Sequence, residues 1–113
     1  MVYGNTNNNA IYINGVNNQV LSNVVGNSKY TGIGVNGNNN AILQNTVLGS
    51  GTNGIALFTK VTNNQIVQNT AFDNGTSGSG TDLDDSTGQA CTLNQWHDNL
   101  FATKGPSTST CIQ

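Results

Sequence analysis

Asn63-Asn64-Gln65-Ile66-Val67-Gln68-Asn69 is one of four versions of a single phrase. Asn17-Asn18-Gln19-Val20-Leu21-Ser22-Asn23 and Asn39-Asn40-Ala41-Ile42-Leu43-Gln44-Asn45 precede it, and Leu93-Asn94-Gln95-Trp96-His97-Asp98-Asn99 follows in degenerate form. Every version keeps an asparagine, an apolar residue two places on, and a second asparagine three places after that. The leading asparagines Asn18, Asn40, Asn64 and Asn94 lie 22, 24 and 30 residues apart. A near-constant period of this length marks a solenoid, in which each repeat buries its apolar side only by stacking on its neighbours.

A second anchor runs alongside. Asn9-Ala10-Ile11-Tyr12-Ile13 corresponds to Thr31-Gly32-Ile33-Gly34-Val35, to Asn53-Gly54-Ile55-Ala56-Leu57 and to Thr81-Asp82-Leu83-Asp84-Asp85. Both anchors alternate apolar and small or polar residues, the mark of strands with one buried face. The chain divides into coils at about 7–28, 29–51, 52–80 and 81–113. Twenty-two extended residues run about 70 Å, and successive coils stack ~4.8 Å apart. This predicts a single all-β domain, a short right-handed parallel β-helix of about four coils. Ile11, Ile13, Ile33, Val35, Ile55, Leu57 and Leu83 should point inward from one sheet, and Val20, Ile42, Ile66 and Trp96 from a second. Val25, Val47, Ala71 and Phe101 should fill a third, narrower side.

The 113 residues include 21 asparagines and 14 glycines but one proline. Asparagine tolerates left-handed backbone, and its amide both donates and accepts. Asn18, Asn40, Asn64 and Asn94, and in parallel Asn23, Asn45, Asn69 and Asn99, are therefore read as amide ladders along the axis and not as ligands. There are three lysines, no arginine, five aspartates and no glutamate. That balance lacks the basic footprint of a nucleic-acid binder. No apolar run approaches the ~18 residues of a membrane span.

Asp73 to Gly80 is longer than the matching turns and rich in glycine and serine, so it reads as a mobile surface loop. It contains the glycosylation sequon Asn74-Gly75-Thr76. Beyond Gly88 the repeat loosens. Cys91 and Cys111 suit one disulfide in an oxidising compartment; two unrelated buried thiols are the other reading. A disulfide would tie the tail 103–113 onto the last coil, with Trp96 closing the core as a C-terminal cap. No equivalent cap is apparent at the other end, so an open core and an unpaired strand edge are expected there. The chain then reads as the C-terminal part of a longer solenoid, or as a unit that pairs with another copy through its N-terminal coil. The opening Met1-Val2-Tyr3-Gly4 carries no signal-peptide pattern, so for an exported protein the targeting segment is expected to have been removed or to lie outside this sequence.

The whole chain resembles right-handed parallel β-helix repeat proteins of secreted bacterial type. Repeats 7–74 carry the resemblance, together with a terminal pattern of Asp82-Leu83-Asp84-Asp85, Cys91, Asn94, Trp96, Asn99, Phe101, Thr103, Pro106 and Cys111-Ile112. The resemblance implies the fold and a secreted, periplasmic or cell-surface location. Its relatives include pectate lyases, polygalacturonases, alginate epimerases and tailspike hydrolases, so it does not select an activity.

Asp82, Asp84 and Asp85 form the only acidic cluster. Alignment puts Asp82 and Asp84 on the outward side of the sheet that carries Ile11, Ile33 and Ile55, beside a floor of small residues flanked by Tyr12 and Phe58. Such a groove suits a sugar chain, and two carboxylates are what glycoside hydrolysis requires. Asp85 aligns with the inward residues Ile13, Val35 and Leu57. Three close aspartates also raise calcium, although the spacing departs from the EF-hand loop. His97 and Asp98 are neighbours on a strand and should face opposite ways. Leu21, Leu43 and Val67 form an outward apolar row, expected either to meet a protein or to lie under the C-terminal tail. The arginine and the histidine motif that the lyase and polygalacturonase resemblance would require are missing.

Three functions fit these residues. One is a non-catalytic scaffold or carbohydrate-contact module. The second is the C-terminal part of a polysaccharide-active enzyme, a lyase, hydrolase or epimerase, whose catalytic coils lie outside these residues or use Asp82 and Asp84 as catalytic or substrate-binding groups. The third is a self-associating unit, a homo-oligomer joined through the N-terminal coil.

Overall fold

A computed structural model describes all residues from Met1 to Gln113. Fourteen short strands form three sheets, and every recorded pairing is parallel. One sheet is β1 (Val2–Tyr3), β4 (Val24–Gly26), β7 (Thr46–Leu48), β10 (Thr70–Phe72) and β13 (Leu100–Phe101). A second runs from β2 (Ile11–Ile13) through β5 (Ile33–Val35), β8 (Ile55–Leu57) and β11 (Leu83–Asp85) to β14 (Lys104–Gly105). The third contains β3 (Gln19–Leu21), β6 (Ala41–Leu43), β9 (Gln65–Val67) and β12 (Gln95–His97). No strand exceeds three residues, because the chain turns a corner after each. The fold is a parallel β-helix.

Registers follow the repeat. Ile11, Ile33, Ile55 and Leu83 stack in one row, and Val20, Ile42, Ile66 and Trp96 in another. Val2, Val25, Val47, Ala71 and Phe101 form the third. All but the end members of these rows are buried. Ile11, Val2 and Phe101 are half-buried and pack on the core from its two ends.

The solenoid has about five coils where four were expected. The added strands are β1, beneath β4, and β14, above β11. Neither belongs to a recognisable repeat, because each is a lone two-residue strand in an incomplete turn. The N-terminal end is consequently part covered: β1 lies over one sheet, while β2 and β3 keep a free edge.

Left-handed residues punctuate each coil at three corners. Asn17, Asn39 and Asn63 occupy the first and Ser22, Gln44, Gln68 and Asp98 the second; Asn27, Gly49 and Asp73 occupy the third. A polar side chain follows each and turns inward. At the first two corners it is the asparagine ladder. Asn40 Oδ1 accepts the N–H of Asn18 at 2.8 Å and its Nδ2 at 3.1 Å; Asn94 Oδ1 accepts the same pair from Asn64. In the second row Asn69 Oδ1 accepts from Asn45, and Asn99 Oδ1 from Asn69. From the second coil upward each amide also donates to a carbonyl of the coil beneath, as Asn69 does to Ile42 at 2.8 Å. These buried bonds satisfy backbone groups that a corner removes from the sheets.

The Cys91–Cys111 disulfide is formed, with an S–S distance of 2.02 Å. It holds the tail where Ile112 enters the core and the carbonyl of Gln113 accepts both N–H and Nδ2 of Asn99 at 3.3 Å. That carbonyl stands where the next ladder oxygen would be. The turn after Asp73 is tethered: Gly75 and Thr76 donate to the carbonyl of Ser50, and Ser77 donates to Gly51. The sequon residue Asn74 is equally committed, its Nδ2 donating to Val47, Phe72 and Asp82.

Candidate functional site

The outer face of the second sheet carries one column, Tyr12, Gly34, Ala56, Asp84 and Gly105, set by strand register. Phe58 leaves the end of β8 and folds back over Gly34. A Cβ on Gly34 would lie 2.9 Å from Phe58 Cε2, so a larger residue there would push the ring aside. Tyr12 stands beside it with ring centroids 6.1 Å apart and planes tilted by 44°, within the range of favourable aromatic pairs. Tyr12 is 52% exposed. The two rings with Asn8, Asn9 and Asn36 border a cleft of ≈ 480 Å³. Asn9 also braces the next coil, since its Oδ1 accepts the N–H of Thr31 at 3.1 Å. The small residues therefore form no open floor: Phe58 covers Gly34, and Ala56 is fully buried.

Asp82 does not reach that face. Its backbone lies in line with Gly54, but its side chain turns into the third corner and the residue is 2% exposed. There it terminates a third ladder, Ser50 to Asn74 to Asp82. Oδ1 accepts N–H and Nδ2 of Asn74 at 3.2 and 2.9 Å. Oδ2 accepts the N–H groups of Ala102 and Thr103 and the Thr103 hydroxyl at 3.1, 2.8 and 2.9 Å. Every partner is a donor, which explains a carboxylate where the other rows use an amide. Burial pushes its pKa up, but the bonds from Asn74 and Thr103 outweigh burial and hold it below the usual aspartate value. The repeated pairs Asn27-Ser28, Gly49-Ser50 and Asp73-Asn74 were the sequence signal for this ladder.

Asp84 does face outward, half-buried between rungs. Its Oδ2 accepts from Ser86 Oγ at 2.6 Å and Asn53 Nδ2 at 3.2 Å. Burial raises its pKa; Ser86 opposes the shift and the neighbouring charge of Asp85 adds to it. Gly105 lies directly above, where a Cβ would come 2.6 Å from Asp84 Oδ1. Asp85 points inward as its register requires, accepting from Thr87 Oγ1 at 2.6 Å and Trp96 Nε1 at 3.2 Å. Trp96 thus fills the core end with its indole N–H satisfied. The three carboxylates serve three different environments, and no group of three or more acidic, histidine or cysteine side chains converges on one point.

His97 and Asp98 do touch, against the alternation expected of a strand. His97 Nδ1 lies 3.0 Å from Asp98 Oδ2. The reason is the left-handed corner: Asp98 has φ of 57°, which breaks the alternation. Both side chains are exposed, and exposed pairs of this kind contribute little. Leu21, Leu43 and Val67 stack in register on the outer face of the third sheet. The C-terminal tail does not cover them; Leu21 is 51% exposed and the other two are half-buried.

Compared with known proteins, the chain matches no family model, no curated protein and no solved structure. The repeat, its registers and the faces just described carry the functional reading. No helix is long and apolar enough to cross a membrane, and the disulfide fits an oxidising compartment.

Proposed function

We propose that this chain is a non-catalytic, secreted or surface-borne β-helix module that contacts carbohydrate through the Tyr12–Phe58 cleft and self-associates through its N-terminal coil. The observation that carries the glycan reading is an exposed, tilted aromatic pair ringed by three asparagine amides with no charged side chain among them. Aromatic faces suit the C–H faces of a sugar ring, and amides suit its hydroxyls as both donor and acceptor. Asp84 lies three rungs along the same column, about 14 Å at ~4.8 Å per rung. A longer glycan lying on the column would meet it there. Asp82, bound on both oxygens inside the corner, is not part of this contact.

The enzyme alternative needs a second ionisable group opposite Asp84. Asp82 and Asp85 are the nearest carboxylates in sequence, and both are engaged elsewhere. The glycan reading is tested by electrophoresis through gels containing neutral polysaccharides. Retardation by at least one of them is expected, and Tyr12→Ala should weaken it about tenfold, the equivalent of ~1.4 kcal/mol. Parent and variant migrating alike on every polysaccharide would reject the reading.

A further inference from the structure

The two ends of the solenoid are each an incomplete coil, and the missing parts differ. Beneath the first full coil lies only β1, a strand of the first sheet. Above the last full coil lies β14, a strand of the second sheet. The tail then passes over the third: Thr110, Cys111 and Gln113 border a cleft with Gln95, Trp96 and His97 of β12. It reaches the second corner, where Gln113 takes the ladder position over Asn99. The C-terminal end thus supplies two sides of a coil, and the N-terminal end supplies the remaining one.

Hydrogen-bond polarity agrees with that division. In every higher coil the ladder Oδ1 accepts an N–H from the coil beneath. Asn18 Oδ1 and Asn23 Oδ1 accept from no other residue of the chain. Ser22 N–H donates up to Leu43, and Asn18 carbonyl accepts from Ala41. Backbone alternation therefore turns Gln19 and Leu21 toward the open edge. At the same level Tyr12, Ile13, Asn18, Gln19 and Val20 border a cleft of ≈ 400 Å³. In the coils above, that space is filled by the coil below.

We propose that copies of this chain stack head to tail, sharing one composite coil made of β14 and the tail of one copy and β1 of the next. Val2 of the upper copy then continues the row Val25, Val47, Ala71, Phe101 of the lower one. The contact is heterologous, so it propagates and does not close as a dimer. This rests on the self-association reading above and adds the partner face.

The test is sedimentation of the oxidised chain over a wide concentration range. The weight-average mass should climb from 11.8 kDa past that of a dimer, more than about twofold, as an open heterologous contact requires. Two variants block the lower face only. Leu21→Pro removes an edge N–H beneath an exposed side chain, and Val2→Asp puts a charge on β1. Each should stay monomeric with the parent's circular dichroism, and a small proportion of Val2→Asp added to the parent should shorten its assemblies. A mass that stops at a dimer would overturn head-to-tail stacking and leave association through the N-terminal coil standing. A parent monomeric throughout would overturn both. A folded Val2→Asp that assembles like the parent would overturn the composite coil, even if Leu21→Pro fails to fold.

Discussion

At the first coil, Asn18 is exposed and Asn23 half-exposed; each donates its Nδ2 to a nearby carbonyl and to the coil above, while its oxygen goes unused. At the fourth coil every ladder position is buried, and two of the three rows end on a purpose-made acceptor. Asn74 meets the carboxylate of Asp82, and Asn99 meets the carbonyl of Gln113. The same repeat thus ends in two ways. Where the last coil is sealed, the polar groups of the corner need partners inside the chain; at the first coil the oxygens of Asn18 and Asn23 have none there. The chemistry of a ladder residue follows its place in the stack as much as its place in the repeat.

The largest test of this contrast is Asp82→Asn. The substitution keeps the shape but turns one acceptor into a donor facing other donors. With a penalty of ~1–3 kcal/mol for each buried group left unmet, a loss of about 3 kcal/mol in urea unfolding is expected. Because hydrogen bonds hold the folded Asp82 pKa below its unfolded value, its contribution is complete above the unfolded value. It disappears as pH falls through the folded one, and this acid-side loss should be missing from Asp82→Asn. A variant as stable as the parent would show that Asp82 is not the seal.

A comparison within one ladder comes next. Asn69→Ala removes an oxygen that accepts twice and a nitrogen that donates twice, all buried. A loss of about 2 kcal/mol is expected, against less than ~1 kcal/mol for the exposed Asn18→Ala. Equal losses would mean that the coil, not its position, sets the energy.

The smallest effect belongs to Asp84. Its folded pKa is raised, chiefly by burial, so its contribution is favourable below the unfolded value and is lost as pH rises through the folded one. Asp84→Asn should keep an acceptor for Asn53 and Ser86, remove that pH dependence, and raise the neutral-pH melting temperature slightly. A lower melting temperature at neutral pH would show the charge to be useful where it stands.

Much of this was legible because solenoid geometry is written locally. The spacing of Asn18, Asn40, Asn64 and Asn94 named the fold and both asparagine ladders, and alternation named Ile33, Ile55 and Ile66 as core. Alignment gave Asp85 an inward position but left open whether its side chain would turn out at the cap; the fold keeps it inside, where Trp96 Nε1 meets it. The candidate site was less legible. Tyr12 and Phe58 were foreseen as rims of a groove, yet Phe58 lies across its floor. Asp82 was expected beside Asp84, and it turned into the corner because donors from Asn74 and Thr103 converge there. Those residues lie 8 and 21 positions away in the chain.

The sequence by itself determined the repeat, the three inward rows and the corners. Each depends on a residue's own backbone preference and its distance to the next copy. Only the tertiary structure decided how the ends close. The two cysteines announced their link by number alone, but the strands β1 and β14 and the turning of Asp82 depend on groups that meet once, in three dimensions, with no second copy to reveal them. A periodic signal reports interactions that recur; an end occurs once, and its chemistry is set by whichever donors and acceptors the last coil leaves without partners.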